Sequence, residues 1–306
     1  MGRYILIRSF EAIVAIWGVL LIVFLASRLG GGDPAVLLLP MGASDADLDL
    51  IRHNLGLDRP LWDQYFTFMA NALRGDFGFS FEHNRPAMQV ILERLPATMQ
   101  LATFGILIGT LIGLSAGMIA ALRRGTLTEF AVMLVALIGQ AMPVFWLGLV
   151  LMMVFAVHLQ WLPSGGTQGL GIILPGFTLA VYISASLARL LRSSMVEILH
   201  EDYIRTARAK GLDPSRIYIV HAVRSALIPV VTMLGIIIGE TLSGTVIIET
   251  IFSWPGVGRV TVQAIAARDF AVVQAAVTVF AFIFVVVNLA VDLLYAVLDP
   301  RVRLIK

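Results

Sequence analysis

The side chains able to do chemistry are scattered through this chain rather than gathered. The five histidines are His53, His83, His158, His200 and His221, and none forms a His-x-x-x-His or Glu-x-x-His pair within an apolar run. That spacing is what brings two ligands to one metal ion from one helix face. No Ser, His and Asp stand in an order that would assemble a nucleophile and its base, and Ser164 and Ser184 read as isolated hydroxyls. With no cysteine, the chain has no disulfide, no thiolate-ligated zinc or iron–sulfur centre and no thiol nucleophile. It also lacks a Gly-x-x-x-x-Gly-Lys-Ser/Thr stretch to cradle phosphates. The expectation is no catalytic residue, no resident cofactor and no bound metal. What remains are polar residues inside apolar runs, where a buried ionisable group is a functional candidate by default. Glu240 lies in LGIIIGETLSG, Gln140 precedes Met142-Pro143, and Asn288 shares a helix face with Asp292 at i,i+4. Gln140, Glu240 and Asn288 are therefore candidates to line a pathway. The alternative for Glu240 is a hydrogen bond to a neighbouring helix, with Gly235, Gly239 and Gly244 allowing close approach.

The elements that must position these residues are membrane spans. Of 306 residues, 58% are hydrophobic and 14% charged, and the mean hydropathy is +0.89. A soluble domain carries about a quarter charged residues. The formal net charge of +2, from 22 basic and 20 acidic residues, offers no basic face for nucleic acid. Six apolar runs are long enough to cross a bilayer: 10–30, 98–122, 129–157, 172–191, 227–250 and 271–298. The first is too long for a signal h-region and reads as a retained helix, with Glu11 placed to pair with Arg8. Each span must satisfy its own backbone in lipid, so the fold class is all-α and polytopic. Pro143 marks a kink or break in the third span.

Charge sets the orientation. Fourteen of the 22 basic residues, among them Arg3, Arg8, Arg123, Arg124 and Arg301, fall on the side that six spans assign to both termini. Residues 1–30 form the first helix. Residues 31–96 form a long extracytoplasmic segment in which Leu61, Tyr65, Phe68 and Met69 make a helical apolar stripe. Residues 97–298 form a five-helix core with a cytoplasmic loop over 192–226, and 299–306 form a cytoplasmic tail. Outside, SWPGVGR marks a tight surface or re-entrant turn, with Trp254 suited to the interface and Glu249 near water.

The loop contains the most charged block, EDYIRTARAKGLDPSRIYIVHAVRSALIPV. Tyr203, Ile204 and Ala207 give a short helix an apolar side, and Arg205, Arg208 and Lys210 a cationic one. Gly211 stands where a left-handed residue ends a helix. Asp213-Pro214 supplies an N-cap and a proline at N1 for a second helix, with Ile217, Val220, Val223 or Arg224, and Leu227 at turn spacing. Charge alone fits plain positive-inside topology. The Gly turn and the restart fit an element presented to a cytosolic partner.

Four stretches resemble one family. TARAKGL followed by HAVRSALIP is similar to the cytoplasmic loop of permeases of ATP-binding-cassette (ABC) importers, in the variant of the dipeptide, oligopeptide and nickel branch. Ala207 and Gly211 match the general loop pattern. Thr206, Arg208, His221, Val223 and Arg224 depart from it toward that branch, and the dipeptide type is nearest. NLGLDRPLWDQY with LRGDFGFS, RLPATMQLA, and IETIFSWPGVGR with AIAARDF resemble the same branch, so the likeness covers nearly the whole chain.

The resemblance implies a type I ABC importer permease fold in the bacterial inner membrane. It implies half of a translocation pathway for dipeptides or short oligopeptides, with nickel chelate or glutathione as alternatives in the same branch. The implied partners are a second homologous permease, two cytosolic ATPases that use ATP and magnesium, an external solute-binding protein and the lipid bilayer. Tyr203, Arg205, Ala207, Arg208, Lys210 and Gly211 would form the coupling helix seated in an ATPase. An ion-coupled secondary transporter would instead need paired helix breaks in two inverted halves. The sequence offers one candidate break, at Pro143.

Overall fold

A computed structural model of the chain describes residues 2–29, 44–54, 56–167 and 169–298. The tail 299–306, residue 30 at the end of the first helix and residues 31–43 of the long segment lie outside the described residues, as does the side chain of Asp292. The described elements are α1 (Gly2–Leu29), α2 (Asp45–Asn54), α3 (Leu61–Leu73), a two-stranded ribbon of β1 (Phe79–Ser80) and β2 (Arg85–Pro86), and α4 (Ala87–Leu122). These are followed by α5 (Leu127–Ala141), α6 (Val144–Leu151), α7 (Ile173–Ile198), α8 (Asp202–Ala209), α9 (Val223–Ile251), α10 (Val257–Ala266) and α11 (Phe270–Leu298). Five helices are long and apolar enough to cross a membrane, and six if α5 and the α6 stretch count as one span.

That broken pair settles the role of Pro143. Met142 is extended at ψ 131°, as a residue before proline prefers, and Pro143 caps α6. The helix axis turns by 104°, so the third span is two pieces rather than one kinked helix. Two other boundaries also moved. α4 begins at Ala87, before Pro96, and α7 runs on to Ile198, past the apolar run that ends at Leu191.

The chain divides into two compact units. The first comprises Ala97–Trp254 and the chain from Val287. Its centre is α7, the most buried of the spans. Gly105, Gly109, Gly113 and Gly117 repeat every fourth residue along α4 and meet α7. A Cβ on Gly109 would lie 2.9 Å from the Ala180 carbonyl oxygen, and one on Gly117 only 2.6 Å from that of Ala188. In lipid, packing rather than water drives helices together, and small residues permit this close approach. The join between α4 and α5 is fixed by charge. Glu129 accepts from Gly125 N at 2.6 Å and from Arg192 Nε at 2.8 Å, with Arg192 Nη2 on the same oxygen. Glu129 N donates to Thr126 Oγ1, so Thr126 and Glu129 sit in capping-box positions.

The second unit comprises Gly2–Pro96 and Pro255–Val286. Its core joins Leu20, Phe77, Val90 and Ile91 to Val257, Val260 and Val272. α3 packs on the end of α1, with Tyr65 and Phe68 ring centroids 5.3 and 5.7 Å from Phe24. Arg8 and Glu11 pair at 3.0 Å, as their spacing anticipated. His53 Nδ1 lies 2.7 Å from Asp58 Oδ2 and holds that carboxyl below its usual range.

Candidate functional site

Glu201 to Val230 folds as the sequence pattern requires, with one slip. α8 ends in a Schellman turn. Gly211 N donates to Arg208 O at 2.9 Å and Leu212 N to Ala207 O at 3.3 Å, with Gly211 at φ +76°. Ile217 N then donates to Asp213 O, making Asp213 the N-cap and Pro214 the first helical residue. α8 buries Ile204 and Ala207 in one core with Leu191 and Met195 of α7 and Ala222 and Ala226 beyond the turn. Burying one Ile side chain contributes about 1.5–3 kcal/mol. The helix is thus tied to α7 and to the chain leading into α9.

The exposed side of α8 carries Arg205, Arg208 and Lys210. Arg205 has only a loose partner, Asp202 at 3.4 Å, with both side chains largely in solvent. Of the three residues assigned to the apolar side, Tyr203 stands otherwise and Ile204 and Ala207 do not. Tyr203 is 46% exposed and its hydroxyl reaches Ser225 Oγ at 3.4 Å, so it belongs to the open side, not the apolar one. Ala207 is buried and supports the helix from beneath.

The slip lies in the second helix. Its buried residues are Ile217, Ala222, Ala226 and Val230, whereas Val220 is 52% exposed, Arg224 is exposed, and Val223 and Leu227 are half-buried. Residues Ile217–Ala222 form a π-helix, whose wider turn moves the next inward position from three or four residues on to five. A strict 3.6 periodicity therefore picks the wrong face.

The three pathway candidates lie on separate helices. Gln140 is half-buried one turn before the break at Pro143, and its Oε1 is buried without a hydrogen-bond partner among the described residues. Asn288 is half-buried on α11. Glu240 is exposed near the middle of α9, on a stripe with Pro229, Ile236 and Ile247. A carboxylate at that depth belongs against another protein surface or a water-filled path rather than lipid tails. Gly235, one of the glycines near it, meets Val291 of α11.

Three polar contacts emerged that residue spacing did not reveal. Glu249 is fully buried rather than near water and accepts from Thr98 Oγ1 at 2.6 Å. Trp254 is fully buried rather than interfacial, with Nε1 donating to Ala97 O at 2.8 Å. In the second unit, Ser80 Oγ donates to Asp269 Oδ2 at 2.5 Å, both groups being buried, and Asp269 also accepts from Val272 N at the start of α11. The stretches RLPATMQLA and IETIFSWPGVGR are thus bonded to each other, and so are LRGDFGFS and AIAARDF. They are fastenings, not chemistry. The bonds from Thr98 and Ser80 each answer a buried carboxylate, a group costly to bury unpaired.

Comparison with known proteins supplies the context. Residues 113–304 match the family described as binding-protein-dependent transport system inner membrane component, and residues 1–102 match its N-terminal companion. The glutathione transport system permease protein of Escherichia coli strain K12 is 39% identical over 99% of both chains. A di/tripeptide transport system permease protein of Pseudomonas aeruginosa is 40% identical over 94% of each. A methionine ABC transporter solved in inward-facing conformations aligns with 69% of this chain and 97% of its own, at 20% identity and a TM-score of 0.59. An amino acid ABC transporter aligns over 70% and 94% at 18% identity and a TM-score of 0.52. These two likenesses show the fold, that of a type I ABC importer permease.

Proposed function

This chain belongs to the family of inner-membrane components of binding-protein-dependent transport systems, and we propose that it forms half of a pathway for dipeptides, short oligopeptides or glutathione. The observation that carries the cargo class is the pair of relatives, a glutathione permease and a di/tripeptide permease, each near 40% identity over almost the whole chain. Glutathione is itself a tripeptide, so both point to small peptides with a free ammonium and carboxylate. That favours peptide over a nickel chelate. A second permease of the same kind would complete the pathway, and an external binding protein would choose the cargo.

ATP and magnesium are used by separate ATPase subunits, and this chain contributes no catalytic group. The short helix α8 is the coupling element. Its buried Ile204 and Ala207 join it to the membrane helices, while Tyr203, Arg205, Arg208 and Lys210 face a partner groove, and Gly211 lets the chain turn back. ATP-driven motion of the partner would shift α8 with α7 and α9 as one body and repack the pathway. Gln140 at the break, Glu240 and Asn288 line that pathway, with Glu240 meeting the peptide ammonium. Both termini and α8 lie in the cytoplasm. The test is reconstitution of the full chain in proteoliposomes with ATPase subunits, a second permease and a binding protein from the same source. ATP-dependent uptake of labelled dipeptide or glutathione is expected. Uptake by the purified single chain driven by an ion gradient would overturn the reading.

A further inference from the structure

An apolar cavity of about 460 Å³ opens in the second unit between α1 and α11. Ile13, Ile16 and Leu20, three and four residues apart, give it one wall from a single stripe of α1. Thr278 and Phe282, four apart, give the facing wall from α11. Leu73 of α3 and Phe77 line it as well. Thr278 is the only polar side chain in the lining, and its hydroxyl already donates to Gln274 O at 2.7 Å. The cavity thus offers nothing to an ion, a peptide or a headgroup. It suits hydrocarbon.

Depth and size say which hydrocarbon. Both walls belong to apolar spans, Leu6–Arg28 and Phe270–Val291, and Phe282 stands at the middle of its span. Leu73 marks the other end, because the next residue, Arg74, is charged and exposed. The cavity therefore runs from headgroup level to mid-bilayer, the depth of one leaflet. Towards the Arg28 end the two helices are fastened. Gln274 Nε2 donates to Ser27 Oγ at 2.8 Å, and Leu20 shares a core with Val272 and Ala276. Towards mid-bilayer Ile13 and Phe282 are 65% and 57% exposed, so the cavity is open where the fastening ends. Leu73 also shares an exposed apolar edge of α3 with Trp62 and Phe66. A void here would leave the walls without contacts. Ile13 to Leu20 covers about 10 Å along α1. Over that length the cavity averages roughly 46 Å² in section, against about 80 Å² for a helix 10 Å across. A flexible chain fits where a partner helix does not.

We propose that this groove holds one acyl chain of a bilayer phospholipid, retained as a wedge between α1 and α11 rather than exchanging with bulk lipid. The proposal rests on the two spans and the lining, and it is independent of the cargo and coupling assignments.

The test uses the full chain in its purified membrane complex, stripped of bulk lipid in detergent. Native mass spectrometry counts retained palmitoyl-oleoyl phosphatidylethanolamine and phosphatidylglycerol. One lipid is expected, with the two headgroups within about twofold, because the lining has no group to tell them apart. Dihexanoyl phosphatidylcholine, too short to fill the groove, should not displace it. Thr278→Phe fills the groove from one wall and should lower retention by about tenfold or more, the factor set by two displaced methylenes. Thr278→Val keeps the shape and should stay within about twofold of the wild type. If Thr278→Phe fails to assemble, Ile13→Trp narrows the groove from an exposed position and decides. Because the chain has no cysteine, Leu73→Cys takes a single fluorescent label. A retained phospholipid with brominated chains should quench it after stripping. Four results would each overturn the proposal: equal retention by the wild type and the filling variant, displacement by the short-chain lipid, an unquenched label, or retention by the chain alone but not by the complex. The last would seat the second permease in the groove.

Discussion

α8 and α3 are both short helices outside the membrane spans, and each buries one face, yet they expose opposite chemistry. α8 shows Arg205, Arg208 and Lys210, and α3 shows Trp62, Phe66 and Leu73. The packed faces are alike in kind: Ile204 and Ala207, buried, in one unit, and Phe68 and Met69, half-buried, in the other. Burial therefore explains why each helix is held, and exposure indicates what covers it. A cationic face suits a protein groove with acidic groups. An exposed apolar face suits lipid.

The largest effect should come from breaking the seat of α8. Ile204 is completely buried, so Ile204→Asp places a carboxylate in an apolar core without a partner. The cost is about 3–5 kcal/mol, the range for an uncompensated buried charge. Thermal unfolding of the purified chain should shift accordingly, and recovery of the ATPases with it should be lost. An unchanged unfolding temperature would remove the distinction between seat and surface. The next effect sharpens the same contrast from outside. Arg205→Glu with Arg208→Glu changes exposed side chains and should leave unfolding within about 0.5 kcal/mol. It should weaken ATPase association by roughly ten- to a hundredfold, as reversed charges do at a complementary interface. Binding isotherms at two salt concentrations measure it, and higher salt should narrow the difference.

For α3 the outer edge predicts a smaller stability effect with a different readout. Trp62→Ser with Phe66→Ser should leave unfolding in detergent nearly unchanged, since both side chains are already exposed there. In phospholipid nanodiscs the wild type should gain stability over detergent, and the double variant should lose about 1–2 kcal/mol of that gain. Equal stability of both chains in nanodiscs would show that the outer edge of α3 is not bedded in lipid.

Local features of this comparison were legible in sequence, and long-range ones were not. Gly211, Asp213 and Pro214 act through their own backbone, so their types alone announced the end of one helix and the start of the next. Arg8 and Glu11 are neighbours on one helix. The four glycines from Gly105 to Gly117 repeat at helical spacing, but nothing in that spacing names α7 as the helix they meet. Three things hid. The π-turn at Ile217–Ala222 moved the inward face by a residue, and no residue type there demands it. Tyr203 reads as apolar by its ring, but its hydroxyl turned it outward. The bond from Thr98 to Glu249 spans 151 positions and that from Ser80 to Asp269 spans 189. Each partner alone looks like an ordinary polar residue in a loop or at a helix end. Only the fold shows that the carboxylates are buried and so must be answered.

The mildest change tests whether α8 needs its turn as well as its seat. Gly211 stands at φ +76°, and a Cβ built there meets nothing within 4 Å. Gly211→Ala therefore adds no clash and costs only the strain of a left-handed backbone, about 1 kcal/mol. Gly113→Ala is the contrasting case, because its Cβ would stand 2.9 Å from the Ser184 carbonyl oxygen. If the turn merely reverses the chain, Gly211→Ala should lower the unfolding temperature by a few degrees and leave ATP-driven uptake unchanged. If the turn holds α8 against the partner, strain there should loosen the last carbonyls at Ala207 and Arg208, which the Schellman bonds now occupy. Uptake per ATP hydrolysed should then fall by two- to fivefold, roughly the factor that 1 kcal/mol imposes on a two-state equilibrium. Gly211→Asn separates the two cases, since asparagine tolerates the left-handed region better than alanine. Restored uptake in Gly211→Asn would assign the loss to backbone conformation and make the turn part of the coupling device.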